Sequence, residues 1–229
     1  METARKSAIV AGVALIVMAL AAGFSFGFVH NSLVIPGNPA ATVNNLKASE
    51  ALFQMEVLGW IIILLCDIAV AIALYYFFKN ENHKLSMYTA SARLFYSAIL
   101  GVAISCLVLV IIRLNNSEVD SKKIISQLES FRAYWSFGLI IFGIHLFLLG
   151  LLVIQSNFIH NFWGILLIFA GISYSLIHSS YFLFSEFESQ IKTVETILSA
   201  PMAFAEIGFG IWLIARGGKP KIIFKTIGS

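Results

Sequence analysis

A chain of 229 residues in which only 12% are charged has too few polar side chains to cover a water-soluble globule, whose charged fraction is about 25%. With 59% hydrophobic residues and a mean hydropathy of +0.88, the chain is expected to lie in a lipid bilayer. The net charge of +3 is small and the basic residues lie at the ends of apolar segments, so the sequence predicts no nucleic-acid partner.

The chain contains six apolar stretches, each long enough to cross about 30 Å of hydrocarbon as a helix. They cover residues 7–29, 51–78, 88–113, 134–155, 162–184 and 196–216. The predicted fold class is therefore all-α, with one domain over residues 1–229: a bundle of six transmembrane helices with short amphipathic helices in the outer loops. The first stretch follows Arg5 and Lys6, as in a signal peptide, but it exceeds the usual signal core of about 7 to 15 residues. It is predicted to remain as a helix.

The basic residues also indicate an orientation, because Lys and Arg accumulate in cytoplasmic connections. If both chain ends are cytoplasmic, eight basic residues lie inside and six lie outside. The sequence therefore predicts cytoplasmic N- and C-termini.

The outer connections show signs of local structure. Asn38 followed by Pro39 is typical of a helix cap and a first helical position, which predicts a short helix over residues 39–49. The connection has two alternative roles: it shields the end of the bundle as an amphipathic linker, or it covers a cavity.

Two further outer segments carry helical patterns. Ser117 and Asp120 resemble a capping box, and the apolar residues from Ile124 onwards recur at helical spacing, which predicts a short interfacial helix. Residues 185–195 alternate acidic and apolar residues, and Pro201 is expected in the first turn of the last span.

Small residues spaced four apart allow membrane helices to approach closely. Gly23 and Gly27 in the first span show this spacing, and intramolecular packing is favoured for them over the alternative of a homodimer seam. Similar groups occur in the third and fifth spans: Ser97, Gly101 and Ser105, and Gly164, Gly171 and Ser175.

Four ionisable residues lie deep in the spans: Asp67, Arg93, His145 and Glu206. At about 1.5 Å per residue, they fall about 13 to 18 Å from the cytoplasmic ends of their helices, in one layer of the membrane. A charged side chain at this depth costs about 3 kcal/mol or more, so such residues usually face a bundle interior and meet a partner. The sequence therefore predicts a shared polar site in which these four side chains bind a ligand or protons.

The same residues also have purely structural explanations. Asp67 and Arg93 lie on consecutive helices, and an ion pair between them would fix the helix register. His145 alone is more typical of a hydrogen-bonded interior histidine. Glu206 has no basic neighbour in its own helix, so it requires Arg93, a protonated histidine or its own proton.

The fifth span adds a polar aromatic face that includes Tyr174 and His178. Both are candidate ligand-binding residues. His178 lies about 24 Å from the cytoplasmic end and so falls outside the central layer.

Three sequence segments resemble a bacterial family of multi-pass membrane proteins that is described only as a domain of unknown function. They are LVIPGNPAATVNNLKASEALFQ (33–54), CDIAVAIALYYFFK (66–79) and FGIHLFLLGLLV (142–153). The resemblance implies a location in the bacterial inner membrane. It places Asp67, Arg93 and His145 in family segments or beside them, and it implies no particular chemistry.

Three functional classes follow. The favoured one is binding or transport of a small polar or amphipathic ligand, a cation or a proton. The second is a membrane-embedded hydrolase in which His145, Asp67 and Glu206 hold a divalent metal. The third is a structural or partner-binding protein whose polar layer only fixes helix packing. The sequence predicts no cofactor, and its expected partners are the lipid bilayer and a small molecule or ion.

Overall fold

The structure, a computed structural model, describes residues 2–116 and 120–218, and within these ranges it contains helices and turns but no strand. Six helices are long and apolar enough to cross a membrane, which confirms the predicted fold class. They are α1 (Glu2–Leu33), α3 (Glu50–Phe78), α4 (His83–Leu114), α5 (Ser121–Gln155), α6 (Asn161–Leu183) and α7 (Glu188–Arg216). The short α2 (Pro39–Ala48) lies between the first two spans.

The six spanning helices form a ring. Each packs against the next in chain order, and α7 returns to pack against α1. The start of α1 and the end of α7 therefore meet at one end of the bundle, here called the terminal face; the other end, which carries α2, is the opposite face. At the terminal face Arg5 donates hydrogen bonds to the carbonyl oxygens of Leu213, Ile214 and Gly217 at 3.2, 2.6 and 2.8 Å, so α1 caps the last turn of α7.

Polar side chains set where the helices begin. The Asn38 side chain accepts from the Ala41 backbone N–H at 3.0 Å, which confirms the predicted cap of α2. Asn82 caps α4 in the same way. Asp120 caps α5 by accepting from the Lys123 backbone N–H at 3.2 Å, and this bond lowers the pKa of its carboxyl below the usual value.

Two of the predicted outer segments instead form the first turns of spanning helices. Ile124 and Phe131 are fully buried within α5, which contains no proline and runs without a break from Ser121 to Gln155. Residues 188–195 of the segment before the last span likewise belong to α7, so Pro201 lies inside that helix rather than in its first turn. Prolines are tolerated in transmembrane helices when neighbouring groups satisfy the freed backbone. Ser117 lies outside the described residues.

Glycine contacts bring two helix pairs close together, α5 with α6 and α1 with α7. A Cβ atom on Gly143 of α5 would lie 2.5 Å from the Gly171 carbonyl oxygen of α6, and the reverse distance is also 2.5 Å. Gly150 and Gly164 make a second such approach between the same helices, and Gly12 of α1 lies against α7. The expected packing role of glycines in the fifth span is therefore confirmed.

Gly23 and Gly27 behave differently from these glycines. A Cβ on Gly23 would meet nothing within 4 Å, and one on Gly27 would approach only the carbonyl of Ala22 in its own helix. The intramolecular packing role predicted for them was wrong, because this side of α1 carries no neighbouring helix within the described residues. A homodimer through these residues stays a prediction.

The last two turns of the first span have a different geometry. Residues Gly23–His30 are π-helical, and this segment packs on α3. There Ser25 Oγ donates to the Glu56 carbonyl at 3.1 Å. A π-helical turn shifts the side chains that follow it, and it occurs frequently at functional sites. Here it ends at His30, which is buried at the opposite face.

Candidate functional site

Three of the four predicted layer residues form one network. Arg93 Nη2 lies 2.6 Å from Asp67 Oδ1, and Arg93 Nη1 donates to His145 Nε2 at 3.0 Å. The sulfur of Met18 on α1 accepts from the same guanidinium at 3.6 Å. Asp67, Arg93 and His145 are each 0% exposed. The expected contact between Asp67 and Arg93 is therefore present, and His145 extends it to α5.

The hydrogen bonds determine the protonation state of His145. Arginine has only donors, so the His145 Nε2 that meets Arg93 must carry a lone pair. The proton is then on Nδ1, which donates to the Thr89 carbonyl oxygen at 2.9 Å. His145 is a neutral imidazole, and the whole network is uncharged because Asp67 and Arg93 cancel.

Glu206 lies apart from this network and lines a cavity. Tyr174 Oη donates to Glu206 Oε1 at 3.1 Å. Both residues border a volume of about 240 Å³, the central cavity, to which all six spanning helices contribute. Its other walls are mostly aromatic and aliphatic: Leu15, Met18, Trp60, Ile63, Tyr96, Trp135, Leu139 and Phe142.

The central cavity does not join all the predicted site residues. Asp67, Arg93 and His145 are absent from its wall, since they are sealed behind it with no exposed surface. The expectation that Asp67, His145 and Glu206 share one cavity was therefore wrong. The contact of Asp67, Arg93 and His145 agrees with the depth count, but the count could not show that Arg93 pairs with Asp67 and His145 and leaves Glu206 apart.

His178 belongs to a second cavity, the vestibule, of about 580 Å³ at the opposite face. Its ring Nδ1 is joined to Ser136 Oγ by a hydrogen bond of 2.9 Å. Tyr181 Oη donates to Glu195 Oε2 at 2.5 Å in the same space. The predicted separation of His178 from the central layer agrees with this position.

The structure adds a buried pair between the first two spans that no sequence pattern predicted. His30 Nδ1 lies 2.8 Å from Glu56 Oε1, to which Trp60 Nε1 also donates at 3.4 Å. Glu56 is fully buried and its second oxygen has no hydrogen-bond partner in the structure. The helical spacing of Glu56, Trp60 and Asp67 was a usable signal for α3, but nothing in the sequence linked that face to His30.

The three predicted metal ligands do not come together. Arg93 lies between Asp67 and His145, and Glu206 faces the central cavity instead. Across residues 2–116 and 120–218, no group of three His, Cys, Asp or Glu side chains has a metal-binding arrangement. This geometry gives no support to a metal held by His145, Asp67 and Glu206.

The six spanning helices and their buried charges define a multi-pass α-helical membrane protein with a polar interior. The chain belongs to the family described as "Domain of unknown function (DUF4386)", whose profile matches residues 10–217. It is also similar to an "Uncharacterized protein" of Archaeoglobus fulgidus, with 28% identity over 171 residues that cover 75% of this chain and 89% of that protein. A similar chain thus occurs in an archaeon. No solved structure matches the chain.

Proposed function

We propose that the protein binds a small lipophilic cation in the central cavity and that Glu206 supplies the counter-charge. The observation that carries this proposal is the position of one unmatched carboxyl group in a cavity with largely aromatic walls. In a low-dielectric interior, such a group either holds a proton or binds a cation.

The charge balance indicates that Glu206 is the carboxyl group that exchanges a proton for a cation. Asp67 is neutralised by Arg93, and His145 is uncharged, so neither supplies or needs a further charge. Among the described residues, Glu206 accepts a hydrogen bond from the hydroxyl of Tyr174 alone, while Arg93 acts on it through space. Binding a cation would therefore displace a proton from Glu206, which couples binding to pH.

The cavity walls suit a cation with an apolar body. Trp60, Trp135, Tyr96 and Phe142 present aromatic rings, whose faces attract cations by about 0.5 to 2 kcal/mol each. Drug-sized ligands occupy pockets of about 300 to 1,000 Å³. A cavity of about 240 Å³ therefore favours a compact molecule with a single charged group.

Ligand binding at Glu206 is testable with the rigid amine 1-aminoadamantane and with adamantan-1-ol as its uncharged counterpart. In a variant that keeps Trp60 as its sole tryptophan, with Trp135, Trp163 and Trp212 replaced by Phe, we expect the amine to change Trp60 fluorescence. Glu206→Gln should weaken amine binding at this site at least about tenfold, because a desolvated charge pair contributes more than about 1.4 kcal/mol. Adamantanol binding should change little.

The matched control is Glu81→Gln, which alters an exposed carboxyl in the turn between α3 and α4 and should leave amine binding unchanged. Amine affinity should also fall as pH is lowered, since protons compete for Glu206, the carboxyl that Tyr174 and Tyr96 surround. Equal binding of amine and alcohol, or no effect of Glu206→Gln, would refute the proposal.

A structural role is the second candidate for part of the polar layer. The sealed contacts of Asp67, Arg93 and His145 join three helices and have no access to a ligand, which favours a role in helix register. No observation among the described residues favours a metal-dependent hydrolase.

We also propose that the terminal face is cytoplasmic, on the basis of the basic residues counted above. Lys84 lies exposed at the terminal face and Lys122 lies exposed at the opposite face. In intact cells, a membrane-impermeant maleimide should label Lys122→Cys and should label Lys84→Cys only after lysis. Labelling of Lys84→Cys in intact cells, with Lys122→Cys protected, would reverse the orientation.

A further inference from the structure

We propose that Tyr181 and Glu195 form a second, outer site for lipophilic cations in the vestibule, on the path by which they reach Glu206. This inference rests on the proposed function of the central cavity. It means that the vestibule also binds lipophilic cations and that these cations reach the central cavity from the opposite face.

The two sites repeat one arrangement along the contact between α6 and α7. In each, a tyrosine hydroxyl of α6 donates to a glutamate of α7: Tyr174 to Glu206 and Tyr181 to Glu195. The tyrosines are seven residues apart and the glutamates are eleven apart, which correspond to about two and three helical turns. The two tyrosines therefore lie on one face of α6, and the two glutamates lie on one face of α7. One Tyr–Glu pair lies in each cavity.

His178 connects the two pairs. Its ring lies 6.2 Å from the Tyr174 ring and 6.0 Å from the Tyr181 ring, so three aromatic side chains form a column along α6. The side chain is mostly buried, and Ser136 engages Nδ1, while the residue still borders the vestibule. An imidazole in this place extends the aromatic surface on which a cation can rest.

The vestibule has an excess negative charge like that of the central cavity. Its wall contains the acids Glu129, Glu188 and Glu195 and the bases Arg132 and Lys192. Arg132 lies 3.7 Å from Glu188, which leaves two acids and one lysine. Apart from its two histidines, the vestibule wall therefore has one unmatched negative charge, which favours a cation over an anion.

Aromatic side chains lie where the two cavities approach each other. Trp135 borders both, and its ring lies 4.7 Å from that of Phe26, which borders the vestibule. One face of α7 lines both cavities, since Ser199 borders the vestibule and Ala203, one turn later, borders the central cavity. Rotation of the Trp135 and Phe26 side chains would join the spaces without moving a helix.

At the terminal face, the described residues hold α1 and α7 close together. Gly12 of α1 approaches Gly210 of α7 so closely that a Cβ on Gly12 would lie 2.5 Å from the Gly210 carbonyl oxygen. Arg5 ties the same two helices together beyond this point. The geometry therefore directs a ligand to Glu206 from the opposite face, past Glu195.

The stoichiometry of radiolabelled 1-aminoadamantane, measured by equilibrium dialysis with the purified full chain, tests the outer site. We expect two molecules per wild-type chain, one for Glu195→Gln, one for Glu206→Gln and none for the double variant. Tyr181→Phe, which removes only a hydroxyl, should weaken the outer site about threefold to tenfold and leave the inner site unchanged. Glu81→Gln should bind two and serves as the control.

The outcomes separate this inference from the proposed function. One bound molecule that Glu206→Gln abolishes, with no effect of Glu195→Gln or Tyr181→Phe, would overturn the outer site and leave the central site standing. Two molecules that both depend on Glu206 would also overturn it. Binding that no glutamate substitution alters would contradict both proposals.

Discussion

Asp67→Asn should destabilise the protein by about 3 to 5 kcal/mol, because it leaves the fully buried Arg93 without its counter-charge. Arginine cannot release its proton in a protein, so the charge stays in the low-dielectric interior. The remaining partners, His145 and the sulfur of Met18, are neutral and do not replace the carboxylate. Unfolding of the purified protein in mixed micelles with increasing SDS would measure the loss.

Removing the arginine of the pair, in Arg93→Met, should destabilise the protein less than Asp67→Asn. In Arg93→Met the orphaned group is Asp67, which can take up a proton and become neutral. The double variant should regain part of the stability that Asp67→Asn loses, since no charge then lies buried. Glu81→Gln, on the surface, is the matched control with an expected change within about 0.5 kcal/mol. Strict additivity of the two single changes would show that Asp67 and Arg93 do not interact.

Gly171→Ala should destabilise the contact between α5 and α6 by about 1 to 3 kcal/mol, the range typical of overpacking. The added methyl would lie 2.5 Å from the Gly143 carbonyl oxygen and 2.6 Å from the Phe147 backbone nitrogen. Both are backbone atoms, so the helices must separate to accept it. The same SDS unfolding experiment gives the measurement.

Gly23→Ala is the matched control for this change. The same methyl group would meet nothing within 4 Å, so we expect no loss of monomer stability. If Gly23→Ala proved as harmful as Gly171→Ala, the close approach of backbones would not explain the glycine pattern. A change confined to self-association would instead support the homodimer seam.

Much of the architecture followed from local properties of the chain. Span length and the scarcity of charges were sufficient for six membrane helices, because the bilayer imposes both. The cap at Asn38 was predictable because it depends only on adjacent residues. The boundaries of α5 and α7 were not, since an amphipathic stretch continues a spanning helix whenever tertiary packing buries its apolar side, as it does for Ile124 and Phe131.

The candidate site was predictable only in its membership and depth. Asp67, Arg93, His145 and Glu206 stood out because each costs energy in an apolar span, and that cost is a property of the residue and its depth. Tyr174 and His178 followed from their spacing on one helix. These patterns did not predict which of the six residues form the sealed network and which line the two cavities.

The tertiary structure decided which acid has a base, and that choice determines the chemistry left to the site. Arg93 could have paired with Asp67 or Glu206, and only the helix arrangement places its guanidinium on Asp67 and His145. His30 and Glu56 meet for the same reason, across helices that the sequence does not align. Sequence alone determined the kinds and depths of the buried charges, because the energy of burial is a property of each single residue. The tertiary structure decided their partners, because ion pairs between helices form only over distances of a few ångströms.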